Sequence, residues 1–336
     1  MTTPYRIFGL ELSPYSVKVR SYFRYKRIPH EWVVRNLGNM AEFQRHAKLP
    51  LIPLVLAPDG SALQDSTPIL ETLEARFPEP SIHPPEPAAA FVSALLEEYG
   101  DEWGNKPMFH YRWWYEADQV SAAERIARWN LSDGSDVDET AVRKMAAAIR
   151  ERMVPRLSFV GSSAATKGVI EASFERLAAQ LEVHLASRAY LFGGRPAFAD
   201  FGVWAQLYEL STDPTPGALL RARTPRVQAW IDRMLDPRAE GDFEPWAALA
   251  ATLEPVLRDE VAGLFLPWST ANAAALAAGQ PDFTVDLEGR PFSQQTQKYH
   301  ARSLAALQAR YHAVADRSLL DPVLERTGCL PWLARA

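Results

Sequence analysis

The chain has 336 residues, of which 47% are hydrophobic, and it carries a formal net charge of −5. This length predicts two or three domains with a sizeable core, and the composition argues against intrinsic disorder. The acidic balance and the lack of a long basic run argue against a nucleic-acid partner, and no stretch approaches the roughly 18 apolar residues of a membrane span. The first residues show no basic-then-apolar signal pattern, so we expect a cytoplasmic protein.

The first 80 residues have the pattern of a small domain that alternates strands and helices. Short aromatic and aliphatic runs predict strands, and Ser13-Pro14 predicts a helix start with serine as the N-cap. The predicted elements are a strand at 5–12, a helix at 16–26, strands at 31–34, 51–57 and 62–64, and a helix at 67–76. This order, β-α-β, a loop, then β-β-α, is that of a thioredoxin-like sheet.

Three motifs occur in this region in a fixed order: Ser13-Pro14-Tyr15-Ser16, Ile52-Pro53 and Asp65-Ser66. The series resembles the thioredoxin-like, glutathione-binding domain of the glutathione S-transferase superfamily. Serine stands at positions 13 and 16, where glutaredoxin-like relatives carry cysteines, so thiol–disulfide exchange through these positions is chemically unavailable. If the protein is an enzyme, its nucleophile is therefore the thiol of bound glutathione.

Ser13 is the residue to which the resemblance assigns thiol activation. A helix N-terminus offers free N–H donors and a partial positive charge, which suit a thiolate. In the superfamily, a serine here donates a hydrogen bond to the glutathione sulfur, and Ser16, Tyr15 and Tyr5 are alternative donors in this chain. From the local sequence alone, Ser13 can also be a helix cap and nothing more.

The other two motifs carry further contacts that the resemblance implies. Ile52-Pro53 matches a cis-proline whose preceding residue pairs its backbone with the cysteinyl part of glutathione. Asp65 would pair with the γ-glutamyl ammonium, and Ser66 with the helix end would receive the γ-glutamyl carboxylate, although Ser66 is a good helix cap in any fold. The candidates for binding the glycyl carboxylate are Arg45, His46 and Lys48.

A long helical region follows a proline-rich link at residues 78–87. Helices are predicted at 88–100 and 108–129, and the densest aromatic patch is at 109–115. Such rings are most often core or interface packing, but in the resembled family the first long helices after the link line the electrophile pocket. The candidate pocket residues are Tyr15, Tyr111, Arg112 and Trp113. His110 is the one histidine placed to be a general base, with a structural histidine as the alternative.

Two later segments extend the resemblance to about residue 245. Residues 190–201 resemble the family's loop into its buried helix, where Asp200 accepts backbone N–H groups and serves folding rather than chemistry. Ala197 stands where the family has the capping serine or threonine. Residues 224–234 resemble the family's closing helix.

The final stretch exceeds the usual two-domain length and is predicted to be mostly helical. Its predicted elements are helices at 252–265, 271–278 and 294–314, and a strand-like run with a turn at 284–290. One face of the last helix carries Leu304, Leu307, Tyr311 and Val314. Cys329 is the single cysteine, which excludes an intrachain disulfide and favours a small packing residue.

Together these patterns predict an α+β fold. We expect a thioredoxin-like glutathione-binding domain at 1–80, an all-helical substrate-pocket domain at 88–247, and an extension at 248–336 that packs on the helical domain. The resemblance implies a homodimeric glutathione transferase with glutathione as co-substrate and a small apolar electrophile, and no His or Cys spacing predicts a metal site. The alternative is a non-catalytic binding or interaction protein that kept the fold. The motifs do not identify the electrophile or the reaction subtype.

Overall fold

The computed structural model describes residues 3–132 and 136–335. The N-terminal elements are β1 (Tyr5–Gly9), α1 (Pro14–Tyr25), β2 (His30–Val34), α2 (Met40–His46), β3 (Leu54–Leu56), β4 (Ala62–Gln64) and α3 (Ser66–Arg76). They form one sheet in the order β2-β1-β3-β4, in which β1 is parallel to β2 and β3 is antiparallel to both β1 and β4. This small mixed sheet, followed by a largely helical remainder, confirms the predicted α+β class.

Helix α2 lies where the sequence predicted a loop, so that prediction was wrong. Its buried residue is Phe43, whose ring centroid lies 6.1 Å from that of Phe8 on β1. Asn36 and Asn39 exchange backbone-to-side-chain hydrogen bonds of 3.0 Å just before the helix. A single buried apolar residue leaves no periodic pattern, and the sequence therefore gave no signal for this helix.

Gly9 allows β1 and α1 to lie close together. A Cβ at this position would lie 2.6 Å from the Trp32 ring and 2.8 Å from the Ser16 Cβ, so a larger residue would push these elements apart. The chain then turns, and the Ser13 N–H donates to the Leu10 carbonyl at 3.1 Å. Strand β1 therefore ends earlier than predicted, and the turn places Ser13 at the start of α1.

The helical part begins after a proline-rich link. It contains α4 (Pro87–Tyr99), a π-helical segment (Gly100–Gly104), α5 (Asn105–Trp114), α6 (Glu116–Leu131), α7 (Glu139–Met153), a 3-10 segment (Val154–Val160), α8 (Lys167–His184), α9 (Phe198–Thr212), α10 (Pro214–Arg223) and α11 (Pro225–Arg233). The helix predicted at 108–129 is divided into α5 and α6, since Tyr115 is extended with ψ of 135°. Gln119 then donates to the Trp113 carbonyl at 2.9 Å, which satisfies one acceptor at the end of α5.

Helix α9 is the central helix of this part, with buried residues on all sides. The Asp200 carboxylate near its start accepts hydrogen bonds from the N–H groups of Ala197 (2.8 Å) and Leu191 (2.9 Å) and from the Trp230 indole (2.9 Å). Burial raises the pKa of Asp200 to about 7. These contacts join three segments of the core, and they confirm the folding role predicted for Asp200.

The C-terminal segment contains α12 (Trp246–Val256), a π-helical segment (Leu257–Phe265), α13 (Leu266–Ala277), β5 (Asp282–Leu287), β6 (Arg290–Gln295), α14 (Lys298–Ala313), α15 (Leu320–Thr327) and α16 (Leu330–Leu333). The helices predicted at 252–265 and 271–278 belong to one continuous helical run. The strand-like run and turn predicted at 284–290 lie within a longer β5–β6 hairpin, which spans residues 282–295. Because β6 extends to residue 295, the last long helix begins at Lys298 rather than at 294.

Helix α14 packs on α4 through the apolar face that the sequence predicted. Its buried residues include Leu304, Leu307 and Tyr311. The Tyr311 ring centroid lies 5.8 Å from that of Phe91 on α4. The same helix reaches the N-terminal part, where Arg310 forms an ion pair with Glu71 of α3. The C-terminal segment thus contacts both preceding parts of the chain.

Cys329 is fully buried, and burial raises the pKa of its thiol to about 12, as expected of a packing residue. Within residues 3–132 and 136–335, no group of three or more His, Cys, Asp or Glu side chains is arranged to hold a metal ion. Over the same ranges, no helix combines the length and the apolar character needed to cross a membrane.

Candidate functional site

A cavity of about 590 Å³ lies where the three parts of the chain meet. The N-terminal part contributes Tyr15, Leu49, Leu51, Ile52, Pro53, Gln64, Asp65 and Ser66. The helical part contributes Glu102, Asn105, Lys106, Phe159 and Val160, and the C-terminal segment contributes Gln295, Thr296, Gln297, Tyr299 and His300. Of the residues predicted from the sequence, the structure therefore brings Tyr15, Ile52, Pro53, Asp65 and Ser66 to one cavity.

Ser13 is partly exposed at the N-terminus of α1, two residues before the cavity-lining Tyr15. It is not itself part of the cavity lining. Its Oγ accepts hydrogen bonds from the N–H of Ser16 at 3.3 Å and from the Ser16 hydroxyl at 3.0 Å. Among the described residues, the Ser13 hydroxyl proton has no acceptor, so it is available to a bound group.

Tyr15 lines the cavity, but its hydroxyl is already used by the protein. It donates to the Asp101 carbonyl at 3.1 Å and accepts from the Asn105 amide at 3.2 Å. Burial, helped by the Asp101 carboxylate, raises the pKa of Tyr15 above its usual range. The alternative donor Tyr5 is buried, with its ring centroid 5.4 Å from that of Phe23. The remaining alternative, Ser16, is buried and donates its hydroxyl proton to Ser13, so Ser13 is the most available donor of the four.

The peptide bond between Ile52 and Pro53 is cis, as the sequence motif predicted. Asp65, at the start of α3, has φ of +75°, a conformation that residues other than glycine seldom adopt. Its carboxylate oxygens accept hydrogen bonds from the Tyr299 hydroxyl at 3.1 and 3.2 Å. Burial raises the pKa of Asp65 above its ordinary value. A residue of the C-terminal segment therefore already contacts the side chain predicted to bind an ammonium group.

Ser66 is supported by a buried ion cluster centred on Lys18. The Lys18 ammonium contacts the carboxylates of Glu97 and Asp101 (2.6 Å to Asp101) and the hydroxyls of Thr67 (3.0 Å) and Ser66 (3.5 Å). Burial alone would lower the pKa of Lys18, but the two carboxylates raise it. Burial raises the pKa of Glu97 to about 7. The cluster fixes α1, α3 and α4 to one another beneath this edge of the cavity.

Gln64 holds the loop at the rim of the cavity. Its side-chain oxygen accepts from the N–H groups of Lys48 (2.7 Å) and Leu49 (3.0 Å), and its amide donates to the carbonyls of Leu49 and Leu51 (2.9 Å each). The side chains predicted to bind the glycyl carboxylate are exposed and are not part of the cavity lining: Arg45, His46 and Lys48. The structure thus does not bring them to the predicted site.

The aromatic patch on α5 does not line the cavity. Tyr111 and Trp113 are only 2% and 1% exposed. Arg112 is bonded to the Glu209 carboxylate (2.8 Å) and to the Leu12 carbonyl (3.0 Å). The prediction that these three residues form the electrophile pocket is wrong for this cavity, because packing and ion pairing already occupy their side chains.

His110 is also a structural residue. Its ring contacts the Ser162 hydroxyl through Nδ1 (2.7 Å) and the Glu171 carboxylate through Nε2 (3.2 Å). Burial lowers the pKa of His110. Both ring nitrogens are engaged away from the cavity, so the general-base interpretation is not supported.

The sequence analysis missed the polar side of the cavity. The Lys106 ammonium donates to the Gln294 amide oxygen at 2.7 Å and lies 3.7 Å from the centroid of the Trp268 ring. Burial lowers the pKa of Lys106 well below its ordinary value. His300 donates from Nδ1 to the Glu102 carboxylate. These contacts join segments nearly 200 residues apart, which local sequence patterns do not reveal.

Solved structures of similar fold include a glutathione S-transferase from Methylobacterium radiotolerans in complex with glutathione sulfonate, which is 21% identical, with 72% of this chain and 97% of that chain covered and a TM-score of 0.41. A glutathione S-transferase from Methylobacillus flagellatus with GSH bound is 20% identical, with coverage of 69% and 94% and a TM-score of 0.39. The β-etherase LigF from a Sphingobium strain is 20% identical, with coverage of 70% and 95% and a TM-score of 0.47.

No curated protein matches the chain. Two family models do match it: the glutathione S-transferase N-terminal domain over residues 7–81 and the glutathione S-transferase C-terminal domain over residues 133–233. Together they match just over half of the chain. The first model covers the mixed sheet and the second covers much of the helical part, in the same order as in the structure. The chain therefore belongs to the glutathione S-transferase superfamily.

Proposed function

We propose that the protein is a glutathione transferase that activates the thiol of bound glutathione for attack on a small apolar electrophile. The observation that carries this proposal is that Ile52, Pro53, Asp65 and Ser66 border one cavity near the N-terminus of α1. In this proposal, the cysteinyl backbone pairs with Ile52. The γ-glutamyl carboxylate meets Ser66 and the start of α3, whose free N–H groups attract an anion.

Thiol activation is assigned to Ser13. Its free hydroxyl proton can be donated to sulfur, and the N-terminus of α1 adds a favourable field for the thiolate. Both effects stabilise the charged sulfur more than the neutral thiol, which is the requirement for raising its reactivity at neutral pH.

The second substrate is proposed to be apolar because of the cavity rim. Leu49, Leu51 and Phe159 line the cavity, yet they are 57%, 61% and 49% exposed. Exposed apolar side chains grouped around an opening favour an apolar ligand. Lys48 remains the proposed partner of the glycyl carboxylate, since it precedes Leu49 and its exposed side chain can reorient.

Titration of the purified protein with reduced glutathione at millimolar concentrations tests the binding step. We expect saturable binding of glutathione. Ser66→Ala should weaken the affinity at least tenfold, while Ser318→Ala, at an exposed position, should leave the affinity unchanged. Turnover of an apolar electrophile then tests the chemistry. Binding of glutathione with no turnover of any electrophile class would contradict the transferase proposal.

The second candidate is a non-catalytic binding or interaction protein. The contact of Tyr299 with Asp65 favours it, because this hydroxyl takes the carboxylate proposed for the γ-glutamyl ammonium. Absence of glutathione binding in the titration would favour this candidate. The homodimer and the cytoplasmic location expected from the sequence also remain proposals, and sedimentation velocity of the purified chain tests the first of them.

A further inference from the structure

We propose that His300, oriented by Glu102, is a general acid that protonates an oxygen leaving group of the second substrate. This inference rests on the proposed transferase function and adds to it a catalytic residue from the C-terminal segment. The role applies to an apolar molecule whose electrophilic carbon carries an oxygen that takes up a proton as its bond to carbon breaks, such as an epoxide.

The geometry of the His300 ring supports this role. Its Nδ1 donates to the Glu102 carboxylate, and its ring packs edge-on against Trp268 with centroids 4.8 Å apart. Trp268 is in turn fixed by its indole N–H, which donates to Gln294 at 3.0 Å. The imidazole is therefore held in one orientation, with one nitrogen bonded to a carboxylate and the other directed elsewhere.

The second nitrogen, Nε2, is open to the cavity. Within the described ranges it has no hydrogen-bond partner, and it is not among the side-chain atoms that are both buried and unpartnered. The His300 residue as a whole is only 7% exposed, and it lines the cavity. The accessible part of the ring is therefore reached from the cavity, where a substrate would lie.

The charged and titratable groups that line the cavity together with His300 are Glu102 of the π-helical segment, Lys106 of α5, Tyr15 of α1, Asp65 at the start of α3, and Tyr299 of α14. Glu102 is the one of these that is bonded to the ring. A carboxylate bonded to an imidazole favours the charged ring, which is the form that a general acid requires.

A proton donor at this place matters for one kind of leaving group. A halide departs as a stable anion and needs no proton. An oxygen that leaves from a carbon of an epoxide becomes a strongly basic alkoxide, so a positioned acid that protonates it lowers the barrier. The cavity combines an apolar rim with the unpartnered imidazole nitrogen of His300, which suits an apolar body that carries such an oxygen.

The proposed step conserves atoms and charge. The glutathione thiolate forms the C–S bond, the C–O bond breaks with both electrons moving to oxygen, and that oxygen takes the proton from Nε2 of the His300 imidazolium. The neutral imidazole that remains keeps its proton on Nδ1, hydrogen-bonded to the Glu102 carboxylate. It regains a proton from solvent, which has received the one released by the glutathione thiol.

A matched pair of electrophiles tests the proposal with the full-length protein. Styrene oxide and benzyl chloride both offer a benzylic carbon, but only the first has an oxygen leaving group. With reduced glutathione, we expect His300→Asn to lower kcat/KM for styrene oxide by about 100-fold or more, and that for benzyl chloride by less than threefold. The asparagine amide can replace Nδ1 toward Glu102, and the exposed His312→Asn on the same helix is the control.

The possible outcomes distinguish the role of His300 from the transferase function. Equal losses with both electrophiles, or no loss with styrene oxide, overturn the role of His300. Turnover of benzyl chloride but not of styrene oxide by the unmodified protein also overturns it, while the transferase function stands. No turnover of either electrophile, together with no glutathione binding, removes the transferase function and this inference with it.

Glu102 is a positioning residue in this scheme, and its variant provides a second test if His300→Asn does not fold. Glu102→Gln keeps an acceptor for Nδ1 but removes the charge. We expect the basic limb of the pH profile for styrene oxide to move to lower pH, with no such movement for benzyl chloride. An unchanged profile with styrene oxide would overturn the proposal.

Discussion

The Ser13→Ala variant tests thiol activation at the N-terminus of α1. Ser13 Oγ accepts two hydrogen bonds from Ser16, and its proton has no acceptor among the described residues. Tyr15 differs, because its hydroxyl donates to the Asp101 carbonyl at 3.1 Å. A bound thiolate could therefore take a hydrogen bond from Ser13 without breaking any contact, whereas Tyr15 would have to give one up.

The size of the expected effect follows from this difference. A hydrogen bond to a charged group contributes about 1.5–3 kcal/mol. Its loss in Ser13→Ala should lower kcat/KM by about 10- to 150-fold and raise the pKa of the bound glutathione thiol by about one to two pH units. The lost N-cap should cost only about 1 kcal/mol of folding stability, so the variant should remain folded.

The assay is a pH titration of the ultraviolet absorbance of the bound thiolate, with kcat/KM measured in parallel and glutathione affinity measured by calorimetry. Tyr15→Phe is the matched control, for which we expect a smaller change in the thiol titration. The reasoning would be refuted if glutathione bound to Ser13→Ala titrated as in the unmodified protein, or if Tyr15→Phe caused the larger change.

Three further predictions concern the surroundings of the site. Lys18→Met should lower the free energy of unfolding by about 3–5 kcal/mol in urea, since it leaves the Glu97 carboxylate buried without its cation, and a loss below 1 kcal/mol would contradict this. Burial lowers the pKa of His184 from 6.5 to about 4, so the folded state binds fewer protons than the unfolded chain. Stability should therefore fall by about 3 kcal/mol as pH drops from 6.5 to 4, and His184→Asn should flatten this slope in thermal scans at each pH. Tyr299→Phe should tighten glutathione binding about two- to fivefold by calorimetry, because it releases the Asp65 carboxylate, and unchanged affinity would exclude competition between Tyr299 and the ammonium.

The sequence predicted the N-terminal part of the fold well because its signals are local. Ser13-Pro14 starts α1 through the conformational preferences of two adjacent residues. Helix α2 escaped prediction because a single buried Phe43 gives no period. The sequence did not predict most of the second strand of the β5–β6 hairpin, and its last two residues fell in the helix predicted at 294–314, because the strand has few apolar residues.

One wall of the candidate site was predictable and the other was not. Asp65-Ser66 carries a recognisable motif in two adjacent residues. The opposite wall depends on pairs such as Glu102 with His300, which are 198 residues apart and meet only through tertiary packing. The aromatic patch at 109–115 led to a wrong pocket prediction because aromatic density alone does not distinguish a core from a pocket. The domain boundaries proposed from the sequence remain predictions.

The contact between Tyr299 and Asp65 has a consequence for how the site comes into being. The two residues are 234 positions apart in the chain. At a synthesis rate of about 5–20 residues per second, the N-terminal wall leaves the ribosome about 10–50 seconds before the residues that close the cavity. During that interval this side of the cavity has no covering segment, and the cavity can be enclosed only after Tyr299 and His300 have been synthesised.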